Sequence, residues 1–235
     1  MSVPRSGSSP PSPDAPARPA LIAHGGGNGF SQAREALASR PAFIEVDLWL
    51  HRGRLEARHE RRLPGPFPIL YELWYLRTAP RPPYHLEDLL MDCQGRAAVL
   101  LDLKNGLGKV PQVLRRVLAA YGEGVEVIAS SQNWPLLREV KVACPRLALY
   151  YSIDTPDQFD LFQSVMLHDP LPAGVSIRHT LLDRNVVADF HDAGLAVATW
   201  TVDDPDRARE LAGWGVDAIT TNQVEEIRAA LADSS

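Results

Sequence analysis

Cysteine is nearly absent from this 235-residue chain: Cys93 and Cys144 are the whole complement, and neither sits in a C-x-x-C pair or near a histidine at zinc-finger spacing. No disulfide framework is expected. Long apolar runs are missing as well, and nothing approaches the ~18 to 20 consecutive apolar residues of a membrane span, so stable membrane insertion is not expected. Positive charge is not in excess. Lys and Arg number 24 against 29 Asp and Glu, a formal charge of -5, which provides no field to gather polyanions and argues against a nucleic-acid partner while leaving room for a local basic site. Residues 1–19 contain six prolines and no apolar segment of the kind a secretory signal requires. They are expected to form a disordered leader, and the expected location is the cytoplasm.

What the chain does have is 45% apolar and 23% charged residues, enough for a large core and a soluble surface. From residue 20 onward, short β-branched or apolar runs alternate with amphipathic segments. The strands are expected at Ala20 to His24, Ala42 to Trp49, Ala98 to Lys104, Val125 to Ser130, Arg146 to Tyr151, Gly174 to Ile177, Leu195 to Trp200 and Asp217 to Thr220. Helices are expected near 31–39, 84–93, 108–121, 134–144, 155–167, 182–193, 205–213 and 223–232, with Asp204-Pro205 reading as an N-cap followed by proline at the first helical position. Eight βα units predict a closed α/β (β/α)₈ TIM barrel, whose usual size is roughly 250 residues, over residues 20–235. An open doubly wound sheet is the alternative. A Pro- and aromatic-rich excursion at about 60–84, with prolines at 64, 66, 68, 80, 82 and 83, interrupts the alternation and reads either as a surface detour or as a lid on the pocket mouth.

In such a barrel the chemistry sits at the C-terminal ends of the strands. The first strand ends in His24, followed by Gly25, Gly26 and Gly27, a loop that suits either an anion or a tight turn. Strand two reads FIEVDLWL; because strand side chains alternate, Glu45 and Asp47 share the inner face. Two buried carboxylates repel, so the pair calls for a divalent cation such as Mg²⁺ or Ca²⁺, or for salt bridges to interior Arg or Lys. At the end of strand three Asp102 and Lys104 share a face; Asp102 can complete a metal site and Lys104 can meet phosphate oxygens, or the two can form an internal ion pair. The run HRGRLEARHE is hairpin-like and returns His59 to the same end, which makes His24 and His59 the candidate acid and base. His51, His85, His168 and His191 are assigned to structure, and His179 is left undecided.

Taken together, these residues resemble the glycerophosphodiester phosphodiesterase family: a histidine after strand one, E-x-D on strand two as Glu45-Val46-Asp47, a second histidine as His59, and the ending VATWTVDDPDRARELAGWGVDAITTN. The resemblance implies catalytic His24 and His59, one Mg²⁺ or Ca²⁺ on Glu45, Asp47 and Asp102, and substrate contacts from Lys104, Asn28 and Trp200. It also implies a small-molecule or lysolipid phosphodiester substrate. Two motif elements are missing. The family's H-R-G arginine and E-N-T glutamate have no counterpart beside His24; the shorter loop, Asn28 and Asp-x-Lys are more similar to the sphingomyelinase D branch. Three readings follow: hydrolysis of glycerophosphodiesters to an alcohol and sn-glycerol 3-phosphate, sphingomyelinase D-like or lysophospholipase D-like cleavage through a cyclic phosphate, and a non-catalytic phosphoester-binding barrel. A phosphosugar isomerase is disfavoured because Thr220-Thr221-Asn222 lacks the glycine-rich phosphate loop.

Overall fold

Alternation of short strands with amphipathic helices produces the expected topology in the computed structural model, which describes residues 18–63, 68–72, 75–104, 109–168 and 170–233. The leader expected over 1–19 lies outside the described residues except for its last two positions. In chain order the strands are β1 Ala20–Ala23, β2 Phe43–His51, β3 Arg54–Ala57, β4 Arg61–Arg62, β5 Ile69–Glu72, β6 Tyr75–Thr78, β7 Ala98–Leu103, β8 Val127–Ser131, β9 Ala148–Ile153, β10 Gly174–Arg178, β11 Ala196–Trp200 and β12 Ala218–Thr221. The helices are α1 Phe30–Ala38, α2 Leu86–Cys93, α3 Val110–Tyr121, α4 Trp134–Ala143, α5 Pro156–His168, α6 Arg184–Asp192, α7 Pro205–Trp214 and α8 Val224–Ala232. Asp204 caps α7 as expected, accepting from the Asp206 N–H with Pro205 in the first turn.

Strands β1, β2 and β7 to β12 pair in parallel, and the β1–β2 pairing closes them into an eight-stranded barrel. Most of the core lies between barrel and helices, where Val46, Leu101, Leu103, Val175 and Val197 meet helix residues such as Leu89, Leu114 and Val187. Inside the barrel, a second and smaller cluster of Ile22, Leu100, Ala198 and Ala218, joined by Phe43, Ile128 and Tyr150, plugs the lower half. Two residues further along, the inner positions turn polar on every barrel strand but β11, where Trp200 stands: His24, Glu45, Asp102, Ser130, Ser152, Ser176 and Thr220. The barrel therefore has an apolar floor beneath a polar mouth at the strands' C-terminal ends. No helix among the described residues is long and apolar enough to cross a membrane.

In the excursion at about 60–84, the described residues form an antiparallel annex. Strand β2 runs on past the barrel rim and folds back as β3, pairing Leu48 with Ala57 and His51 with Arg54. Strands β4, β5 and β6 then make a three-stranded sheet, in which Arg61 opposes Tyr71 and Leu70 opposes Arg77. Pro64, Pro66 and Trp74 lie outside the described residues.

A charge network on buried carboxylates ties β3 to the sheet of β4, β5 and β6. Glu56, Arg58 and Glu60 are each no more than 6% exposed. The Arg58 guanidinium donates to Glu56 Oε2 at 2.9 Å and to the Glu60 carbonyl, and Arg62 donates to both Glu56 oxygens. Arg77 and the Tyr75 hydroxyl donate to Glu60. Burial alone would raise the Glu56 carboxyl, but the hydrogen bonds and charges of Arg58 and Arg62 outweigh it and hold the group below its ordinary 4.5. Because the folded state binds this proton more weakly than the unfolded chain, the stabilisation is complete above about pH 4.5 and is lost as pH falls through the depressed value. Glu56→Ala should cost about 3 kcal/mol, since it leaves Arg58 buried and unpaired. Urea unfolding as a function of pH checks both parts: the wild type should lose stability in the acid range, and the variant should lose less there.

Candidate active site

Register sets the site. Asp47 on β2 lies directly across from Asp102 on β7, and Glu45 sits one inward position below Asp47. Oxygens of Glu45, Asp47 and Asp102 lie within 4.8 Å of one another, with Glu45 and Asp47 buried. Burial raises the Glu45 carboxyl well above its usual value, and the charges of Asp47 and Asp102 push it further in the same direction. Asp102 is raised by burial too, against the opposing pull of Lys104. Lys104, just beyond β7, reaches Asp47 Oδ1 at 2.7 Å and Asp102 Oδ2 at 2.5 Å. Although its burial disfavours charge, these two carboxylates raise the ammonium above its ordinary range. The ion pair weighed from sequence is thus present, shared between two acids.

The glycine loop serves the carboxylates directly. Gly25, at φ +59°, donates its N–H to Glu45 Oε2 at 2.6 Å. Gly27 donates to the Glu45 carbonyl at 2.8 Å, and a Cβ there would stand 2.5 Å from that of Val46. The anion that this loop holds is a side chain of the protein itself. Asn28, expected at the substrate, instead grips Asp47 at both ends: its Nδ2 donates to Asp47 Oδ2 at 2.7 Å and its Oδ1 accepts the Asp47 N–H at 2.8 Å. With these bonds made, Glu45 Oε1 and Asp102 Oδ1 have no hydrogen-bond partner among the described residues. Three crowded carboxylates from two adjacent strands, with oxygens unclaimed, form a donor set suited to a hard divalent cation.

The two histidines flank this cluster. His24 Nδ1 lies 2.9 Å from Asn222 Oδ1. Asn222 Nδ2 in turn donates to Asp203 Oδ2 at 2.7 Å, which fixes the amide's orientation and makes His24 Nδ1 the donor. Its Nε2 has no partner among the described residues. His24 is near enough to Asp102 for its charge to lower that carboxyl. His59 Nδ1 faces Glu72 Oε1 at 3.2 Å, which again directs Nε2 away from the partner. His59 lines a cavity of about 1020 Å³ together with Trp49, Asp102, Lys104, Asn133 and Gln158, while His24 lines a neighbouring depression of about 470 Å³ with Asn222. Trp200 ends β11 at the barrel mouth, half-buried under the Arg178 guanidinium 5.3 Å from its ring, and is not among the residues lining the larger cavity.

Against known proteins, residues 106–226 match the model of the glycerophosphoryl diester phosphodiesterase family. The chain belongs to that family. Solved structures agree on the fold: a putative glycerophosphoryl diester phosphodiesterase from Silicibacter pomeroyi superposes with TM-score 0.77 at 20% identity, covering 93% of this chain and 94% of that one. An Oleispira antarctica phosphodiesterase, solved with the product sn-glycerol-3-phosphate, gives 0.72 at 20% identity over 92% and 97%. A glycerophosphodiester phosphodiesterase from Parabacteroides distasonis gives 0.72 at 19% over 92% and 98%. No curated protein matches the chain. The enzyme is thus a phosphodiesterase built on a TIM barrel.

Sequence reasoning missed Asp203, Asn222 and Glu72. The first two stand in the WTVD and TTN segments that carry the family resemblance, so a signal was there without a role attached. Glu72 lies in the annex, where no periodicity pointed to a partner for His59. Of the histidines set aside, His85 caps α2 and His191 pairs with Asp217 at 2.9 Å. Undecided His179 packs under Arg207, whose charge adds to burial in lowering the imidazole.

Carboxylate crowding has a measurable cost. Glu45→Gln keeps an oxygen for the Gly25 N–H while removing one of three clustered charges. In chelator, near neutral pH, the variant should be more stable than wild type by about 1 kcal/mol, the usual size of a single stabilising change. Calorimetric melting in EDTA checks this.

Proposed function

We propose that this phosphodiesterase hydrolyses glycerophosphodiesters to an alcohol and sn-glycerol 3-phosphate, with one Mg²⁺ or Ca²⁺ held by Glu45, Asp47 and Asp102 and with His24 and His59 as base and acid. The convergence of three carboxylates on one point at the barrel mouth, flanked by two histidines whose Nε2 atoms have no partner among the described residues, carries this reading. Membership of the family supports the substrate class, as does the product bound to the Oleispira antarctica enzyme.

A divalent cation at this position would neutralise charge developing on the nonbridging phosphate oxygens. The remaining work falls to the chain. Lys104 places an ammonium beside Asp102 on the cavity wall, where it also meets the phosphoryl group. His24, oriented by the neutral amide of Asn222, takes a proton at Nε2 from the attacking hydroxyl or water. His59, whose Nδ1–H faces the carboxylate of Glu72, gives one from Nε2 to the leaving alkoxide. The carboxylate partner suits the ring that must carry positive charge, and the amide partner suits the ring that starts neutral. Asn28 holds Asp47 in place at both ends, a positioning role.

The test is turnover of glycerophosphocholine and bis(p-nitrophenyl) phosphate in Mg²⁺, Ca²⁺ or EDTA, followed by phosphorus NMR. Activity on both substrates should require the cation, and sn-glycerol 3-phosphate should be the phosphorus-containing product from glycerophosphocholine; a cyclic phosphate from that substrate would transfer the enzyme to the alternative reaction. Inactivity with every divalent cation would leave a phosphoester-binding barrel. His24→Ala and His59→Ala should each lower kcat by at least ~10²-fold. Unchanged turnover in either variant removes that histidine from the mechanism.

A further inference from the structure

The segment beside His24 carries no arginine, but one lines the cavity that holds Asp102, Lys104 and His59. Arg61, on β4, is two residues from His59, and both line the cavity that holds Asp102 and Lys104. Its guanidinium carbon lies 5.7 Å from the centre of the Trp49 ring. Arg58 stacks on the same ring at 5.4 Å, but its charge is spent on Glu56 and on the Glu60 carbonyl. Arg62 and Arg77 are likewise committed, to Glu56 and Glu60. Arg61 has no carboxylate partner among the described residues, and it is exposed on the cavity side of the annex. The ring beneath it offers a second donor. Trp49 is 9% exposed, lines the cavity, and its buried Nε1–H has no acceptor among the described residues.

Building on the phosphodiesterase reading above, we propose that Arg61 is the phosphoryl-binding arginine of this enzyme, held in place by Trp49 and recruited from the annex. A guanidinium over an aromatic face is fixed in plane and keeps its outer N–H groups free for two oxygens of one phosphoryl group. Lys104, by contrast, is a point charge engaged with two acids. The division of labour follows: Lys104 balances the carboxylates, and Arg61 captures the anion of the substrate and of its phosphomonoester product. Arg61 thereby turns the annex into one wall of the site.

Binding of inorganic phosphate and of glycerol 3-phosphate by isothermal titration calorimetry, with the cation present, tests this without relying on turnover. Arg61→Ala should weaken both by about 10-fold or more, the size of a lost charge-assisted hydrogen bond, and should raise KM for the diester more than it lowers kcat. Arg61→Lys should recover part of the loss. Arg146→Ala removes an exposed arginine at the opposite end of the barrel and should change neither affinity. If Arg61→Ala melts like wild type and binds both anions as tightly, the assignment is overturned while the metal and histidine reading stands. An inactive wild type that still loses phosphate affinity in Arg61→Ala would overturn the catalytic reading and keep the anion site.

Discussion

Like charge gathered at the largely buried base of the barrel mouth is the constraint on which the rest of the structure depends. Glu45, Asp47 and Asp102 are brought together by strand pairing, and one ammonium, Lys104, stands among them. With all three acids ionised the cluster remains negative, and burial makes that imbalance expensive. A divalent cation from solution is the simplest way to relieve it. Strain of this kind is tolerable because the surrounding barrel is rigid: the side chains that flank the acids on their own strands, Val46, Leu101 and Leu103, are fully or almost fully buried in the main core. Destabilising the acids and holding them still are two consequences of one register.

Every neighbouring feature is organised to hold that cluster or to work beside it. The glycine loop spends its amide groups on Glu45, and Asn28 spends its whole side chain on Asp47. His24 is anchored through Asn222 to Asp203, which also accepts from the Thr221 hydroxyl and the Asn222 N–H. Those three hydrogen bonds outweigh burial and keep the Asp203 carboxyl below its ordinary range, with the charge of His24 adding a little. The last barrel strand thus orients a histidine supplied by the first, which is possible only because β1 and β12 are adjacent in the closed barrel.

Much of this was legible in the sequence. Eight strand–helix units were visible because parallel strands buried on both faces read as continuous apolar runs bounded by amphipathic helices. Glu45 and Asp47 could be placed on one face from a period of two, and the same argument placed Asp102 with Lys104. The partners that finish the site were not legible. Asn28 binds Asp47 across 19 positions and Asn222 binds His24 across 198, and no local pattern encodes such distances. The annex was hidden for a different reason. Its strands are short, its prolines suggest a detour, and it is held by ion pairs on buried carboxylates, such as Arg58–Glu56 and Arg77–Glu60, whose members look like ordinary surface charges in sequence.

The match to the family model begins at residue 106, after every carboxylate of the cluster, so the half of the chain that departs most from the family is the half that carries the candidate site. This is less paradoxical than it sounds. Positions on β1, β2 and β7 are set by barrel closure and register, neither of which depends on the length of the β1–α1 loop. The loop His24-Gly-Gly-Gly-Asn-Gly29 carries neither arginine nor glutamate, and Glu45, Asp47 and Asp102 stand where strand pairing puts them. The segment after β2 reaches the cavity at the same end of the barrel, bringing Arg61 and Glu72 with it. Strand register holds the acids fixed, so the loops of the rim are free to differ in which further side chains they bring to the cavity.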